Sequence, residues 1–180
     1  SGILGSLSSN GKVFLVNPNG ILFGPRATVN VGGLVASTLN ITDSDFMADN
    51  IRFYGGGGAS VVNEGAITTR AAGGYVALLG ASVSNKGVIA ARLGTVALAS
   101  GSAVTLDVAG DGLLNVTVDQ GAVHALAQNG GLVQADGGQV LMTARSAGSL
   151  LQSAVNNTGV IQARSIENHI EAMFIQRDVE

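Results

Sequence analysis

Two short templates of apolar and polar positions recur along this chain. The first reads apolar, any, Asn, any, Gly, any, then Ile or Val. It occurs as Val61-Val62-Asn63-Glu64-Gly65-Ala66-Ile67, Val83-Ser84-Asn85-Lys86-Gly87-Val88-Ile89, Ala127-Gln128-Asn129-Gly130-Gly131-Leu132-Val133 and Val155-Asn156-Asn157-Thr158-Gly159-Val160-Ile161. Its asparagines are spaced by 22, 44 and 28 positions, which reads as one period, two periods, and one period with a six-residue insertion. The second template sets Gly74, Gly94 and Gly138 two positions ahead of Val76, Val96 and Val140, with Leu78, Leu98 and Met142 two further on. A fixed period built from strand-like and turn-like residues, without long amphipathic helices, predicts a β-solenoid.

The templates assign interior files. Val76, Val96 and Val140 stack in one, Leu78, Leu98 and Met142 in a second, and Ile67, Ile89, Val133 and Ile161 in a third. Successive coils stack at about 4.8 Å, the spacing of paired strands. Between Asn85 and Asn129 the reading places a degenerate coil, with Asp107 at the asparagine position and Ala109 at the glycine position. Beyond it, residues 119–127 suit a short helix or a strand equally well.

The first part of the chain is strand and turn. Val13-Phe14-Leu15-Val16 is apolar on both alternating faces, so both should be covered. Ile21-Leu22-Phe23 follows it, and between them Asn17-Pro18-Asn19-Gly20-Ile21 concentrates turn chemistry. Proline sets φ, asparagine bonds its own nearby backbone, and Gly20 can take φ > 0. Thr42-Asp43-Ser44-Asp45 carries a capping residue with an acid three positions on and predicts one or two helical turns. The run Gly55, Gly56, Gly57, Gly58 reads as a surface loop, since no lysine follows to make it a phosphate cradle.

Composition narrows the class. The 180 residues are 12% charged and 4% aromatic, with 27 glycines and 46% apolar residues, which fits short strands and turns better than bundled helices. The formal charge of −3 with nine scattered Lys and Arg argues against nucleic acid as a partner. No apolar stretch approaches the roughly 20 residues of a membrane-spanning helix. Without cysteine, neither a disulfide framework nor a thiolate metal site can form. The N-terminus, Ser1-Gly2-Ile3-Leu4-Gly5, has no basic region followed by an apolar core, so no signal peptide is expected within it.

Candidate chemistry is sparse. His124 and His169 lack repeated acidic partners, and Asp107, Asp111, Asp119 and Asp136 do not recur at the nine-residue spacing of calcium solenoids. Neither a metal, a cofactor nor a catalytic group is expected. Glu64, Lys86, Arg70 and Arg92 fall near one another by repeat register, the one arrangement suggesting a polysaccharide-active face. Asn40-Ile41-Thr42, Asn115-Val116-Thr117 and Asn156-Asn157-Thr158 match the glycosylation triplet, which arises readily in asparagine-rich turns.

The run from Asn10-Gly11-Lys12 through Asn17-Pro18-Asn19-Gly20-Ile21-Leu22-Phe23-Gly24, then Val29-Asn30-Val31-Gly32-Gly33-Leu34-Val35-Ala36-Ser37-Thr38, resembles the secretion domain of two-partner secretion exoproteins. This is the haemagglutination-activity domain of filamentous-haemagglutinin-type adhesins. The resemblance continues through Gly74-Tyr75-Val76-Ala77-Leu78-Leu79-Gly80, Gly94-Thr95-Val96-Ala97-Leu98-Ala99 and Gly110-Asp111-Gly112-Leu113-Leu114 to about Arg164. It implies an all-β fold, a right-handed parallel β-helix with extra-helical strands and one short helix, over residues 1–180 as one domain. Relatives carry further strands ahead of this start, and residues 169–180 diverge from the pattern.

By resemblance, Asn17, Pro18, Asn19, Gly20 and Ile21 form the secretion motif recognised by a TpsB-type outer-membrane β-barrel transporter through its periplasmic domains. The domain would direct a large exoprotein or adhesin to the medium or cell surface of a Gram-negative bacterium, after periplasmic transit, and nucleate its β-helix. Host or matrix glycans are a further partner class. The second Asn-Pro element of some relatives is missing, since the only other proline is Pro25. An adhesive or carbohydrate-binding solenoid and a β-helix polysaccharide-active enzyme are the competing readings.

Overall fold

The computed structural model describes residues 1–48, 50–108, 114–148, 155–164 and 173–179. Its framework is three parallel six-stranded sheets, each receiving one strand from every coil. The first holds Gly2–Ile3, Ile21–Phe23, Ser60–Asn63, Ser82–Asn85, Leu126–Asn129 and Val155–Asn157. The second holds Ser6–Ser8, Thr28–Val31, Ala66–Thr69, Val88–Ala90, Leu132–Gln134 and Val160–Gln162. The third holds Lys12–Val16, Gly33–Ser37, Tyr75–Gly80, Thr95–Ser100, Gln139–Ser146 and Met173–Val179. The chain therefore winds through the three sheets in turn and forms a parallel β-helix.

The predicted files are present. Val76 pairs with Val96 and Val96 with Val140, while Leu78 meets Leu98 and Leu98 meets Met142. Ile67, Ile89, Val133 and Ile161 are likewise in register. These side chains fill the shaft, and all except Ile161 are fully buried. At about 1.5–3 kcal/mol for each buried aliphatic side chain, the shaft outweighs any surface ion pair, worth about 0–1 kcal/mol.

Among the described residues two chain excursions leave the helix, both after strands of the third sheet. Residues 38–59 carry a helix, Asp43–Phe46, and a strand, Asn50–Tyr54. Thr42 caps the helix as its residue pattern predicts, its hydroxyl accepting from the Asp45 N–H. Residues 101–125 carry the strands Ala103–Asp107 and Asn115–Gln120. Ala103–Asp107 pairs antiparallel with both other excursion strands, making a small fourth sheet.

That sheet covers the outer face of the third one. Val104, Leu106, Ile51 and Phe53 form a second apolar core with Val35, Ala77, Leu79, Ala97 and Ala99. The expectation that Val13-Phe14-Leu15-Val16 is covered on both faces holds at Phe14, whose ring meets Phe46 edge-on with centroids 5.0 Å apart. Val13 and Leu15 are covered on the other face by the shaft, but Val16, beyond the reach of the small helix, is 37% exposed, so the expectation fails there.

The spacing of 44 corrects the degenerate coil. Asn85 is paired directly with Asn129, and Val96 directly with Val140, so only one coil boundary separates them. Asp107 pairs antiparallel with Asn50 and Asn115, away from the asparagine file; Ala109 lies outside the described residues. Residues 119–127 contain no helix: one strand runs to Gln120, a turn carries His124 at φ +64, and the next strand begins at Leu126.

Asparagine and glycine set the corners. Asn63, Asn85 and Asn129 each donate through Nδ2 to the next Oδ1, at 2.8, 2.8 and 2.9 Å, ending on Asn157. A Cβ on Gly87 would land on the Gly65 carbonyl oxygen, and one on Gly131 on that of Gly87. Stacked coils thus approach at these positions as only glycine allows.

Candidate functional site

Asn17-Pro18-Asn19-Gly20-Ile21 is the corner between the third-sheet strand Lys12–Val16 and the first-sheet strand Ile21–Phe23. The Gly20 N–H donates to the Asn17 carbonyl at 3.0 Å and closes a turn, with Gly20 at φ +112. The Asn19 N–H donates to Asn17 Oδ1 at 3.0 Å, the local asparagine turn expected of this residue type. Asn17 is further tied by its own N–H to the Ser37 carbonyl, at 2.9 Å, and by Nδ2 to Ser1 Oγ, at 2.8 Å. The Ser1 ammonium donates to the Gly20 carbonyl at 2.6 Å.

Within the motif the residues divide. Asn17 uses its side-chain acceptor and donor to hold the turn, and Ile21 is buried in the shaft. Asn19 is exposed, and its side chain makes no hydrogen bond to any described residue. Pro18 is half-buried beside it. The corner therefore shows solvent one free amide and one proline on a rigid base.

In later coils the same corner is where the excursions leave and return. Residues 55–58 come back against the motif, so that a Cβ on Gly57 would lie 4.0 Å from the Pro18 carbonyl oxygen. This neighbourhood was not legible in the sequence, where the glycine run gives only a loop signal.

The other candidates do not converge. Glu64 and Lys86 meet at 3.5 Å on one corner, both partly exposed. Arg70 lies on the next, where it donates to Ser8 Oγ at 2.6 Å and to the Asn30 carbonyl at 3.2 Å. Arg92 stands in that second file too, so the four expected neighbours occupy two separate corners. Asp136, in register with Arg92 and between it and Arg164, accepts from Gln134 Nε2 at 2.9 Å and from the Arg164 N–H at 3.0 Å. The Gln134 bond, then the Arg164 N–H, holds its carboxyl below the usual range. Asp119 accepts from the Thr105 hydroxyl, and His124 is exposed. His169 and Asp111 lie outside the described residues.

Burial pushes the Tyr75 hydroxyl up, and Lys12 Nζ stands 5.3 Å from that ring's centroid. Among the described residues no three His, Asp or Glu side chains gather as a metal-binding group would require.

The fold and corner define a parallel β-helix that presents an asparagine-proline turn beside two covering excursions. The chain belongs to the TPS secretion domain family, a non-enzymatic class of secretion-recognition domains, whose family model matches residues 1–180. It is 34% identical over 192 aligned residues to a heme/hemopexin-binding protein of Haemophilus influenzae strain Rd, covering 99% of this chain and 20% of that protein. A second heme/hemopexin-binding protein of that species is 43% identical over 54 residues, 30% of this chain and 6% of the relative. Among solved structures, the HMW1 secretion domain from Haemophilus influenzae superposes with a TM-score of 0.71 at 35% identity, over 86% of this chain and 40% of that one. The chain thus spans about a fifth of the first relative's length.

Proposed function

We propose that residues 1–180 act as one β-helical secretion domain that directs a longer exoprotein through a TpsB-type outer-membrane β-barrel transporter. The family match over the whole chain carries this reading. The Asn17-to-Ile21 corner is the contact point, with Pro18 and Asn19 presented and Asn17, Gly20 and Ile21 holding them. The destination is the medium or the cell surface of a Gram-negative bacterium, in keeping with an adhesin. Once outside, the coils template further coils, because each rung leaves main-chain groups and aliphatic files ready for the next.

The test uses the full-length exoprotein co-expressed with its transporter. Replacing Asn19 by Ala should cut the amount reaching the medium while the secretion domain keeps its unfolding midpoint. Replacing both Asn17 and Asn19 should abolish export. Unchanged export of the double variant overturns the assignment of the motif.

A further inference from the structure

A groove of about 570 Å³ runs along the corner where both excursions rejoin the helix. One wall is residues 55–58, the other Gly121, Ala122, Val123 and His124, and Leu39 and Leu126 also line it. We propose that this groove binds an extended, uncharged stretch of polypeptide with small side chains, held mainly by main-chain hydrogen bonds. The proposal does not depend on the export role of the neighbouring motif.

Three observations carry it. First, glycine is not demanded by the fold at two of the wall positions. Gly55 and Gly56 take φ of +71 and +90, and a Cβ on Gly56 would strike the Thr38 carbonyl. Gly57 and Gly58 have no such φ; Gly57 would meet nothing nearer than 4.0 Å, and Gly58 nothing within 4 Å. Bare backbone facing open space is what close approach by another backbone requires.

Second, both walls offer unused main-chain groups. Gly56, Gly57, Gly58, Val123 and His124, all exposed, make no main-chain hydrogen bond with any described residue. Exposed donors and acceptors on two facing segments match a strand-like ligand, as when a peptide adds to a sheet edge.

Third, the lining matches the charge of the ligand. Among the described residues it contains no Asp, Glu, Lys or Arg and no Phe, Tyr or Trp, and His124 is its one titratable group. A charged peptide would lose hydration without a partner, and a sugar ring would find no aromatic face to stack on. Val123, 71% exposed, supplies an apolar rim. The volume is within the usual range for a ligand site, about 300–1,000 Å³, and holds a few small residues.

The experiment titrates the 180-residue chain with an end-capped Gly-Ala-Val-Ala-Gly peptide and follows backbone amide resonances. Saturable shifts confined to residues 55–58 and 121–126 are expected. Gly58→Leu, which fills the groove without straining the backbone, should weaken binding at least tenfold while leaving the unfolding midpoint unchanged. Replacing the central Val of the peptide by Pro, which removes an N–H, should weaken it comparably. Absence of saturable shifts, or binding unaltered in both Gly57→Leu and Gly58→Leu, overturns the proposal. So does maltohexaose producing the same shifts in the peptide's place.

Discussion

Asn85 and Asn129 stand 44 positions apart in sequence, yet Asn85 Nδ2 donates to Asn129 Oδ1 at 2.8 Å. Both are buried, and Asn85 also accepts from Asn63 Nδ2, so it is the middle link of a chain of amides running up one interior corner. Removing Asn85 breaks both amide–amide bonds, leaving Asn63 Nδ2 with its longer contacts to the Gly65 and Val88 carbonyls and Asn129 Oδ1 with the Gly131 N–H. At about 0.5–1.5 kcal/mol for each lost hydrogen bond, Asn85→Ala, which loses both links, should cost roughly 2 kcal/mol. Asn157→Ala, at the exposed end of the file, should cost about 1 kcal/mol. Urea unfolding midpoints of the two variants check this order.

The glycine files make a second prediction. Gly87→Ala places a methyl on the Gly65 carbonyl, backbone against backbone, where no side chain can move aside. The strain should reach about 3 kcal/mol or prevent folding. Gly2→Ala, with nothing within 4 Å of its Cβ, should leave the midpoint within about 0.5 kcal/mol. Equal effects of the two would contradict the stacking.

Much of this fold was legible because its signals are short-range or periodic. The spacing from Asn63 to Asn85 is a bare coil, and the columns through Val76, Val96 and Val140 follow from it. The turn at Asn17 is written in four adjacent residues. The spacing from Asn85 to Asn129 was misleading because the excursion adds about one coil's worth of chain. Its strand Ala103–Asp107 alternates much as a coil strand would. What marks it as extra-helical is pairing with Asn50–Tyr54, a distant partner that no local pattern announces. For the same reason Ser37, which receives the Asn17 N–H, could not be found from the motif.

Interior and surface should separate sharply. Val96 is fully buried between Val76 and Val140, and Val96→Asp puts a carboxylate into a shaft that holds no basic side chain among the described residues. Loss of the folded state is expected, read as loss of the strand signal in circular dichroism. Lys86→Ala removes one partly exposed ion pair with Glu64 and should change stability by about 0–1 kcal/mol. A folded Val96→Asp protein would mean that the file does not bear the stability assigned to it.

Asp136 gives the domain a specific acid response. Its carboxyl is held below the ordinary aspartate value of 3.8 by Gln134 and then by the Arg164 N–H, so the ionised form is the one the folded corner prefers. A depressed folded value means that the unfolded chain takes up the proton first. The stabilisation is therefore complete at neutral pH and is lost as pH falls through 3.8 toward the folded value. Because the carboxyl stands at a partly exposed corner where solvent screens it, the effect is small, and it is best seen as a difference. Asp136→Asn should lower the melting temperature slightly at pH 7, and the difference should shrink as pH falls below 3.8 toward the depressed folded value. Melting curves of the two proteins that stay parallel from pH 7 to pH 2.5 would show that Asp136 does not hold this corner through its charge.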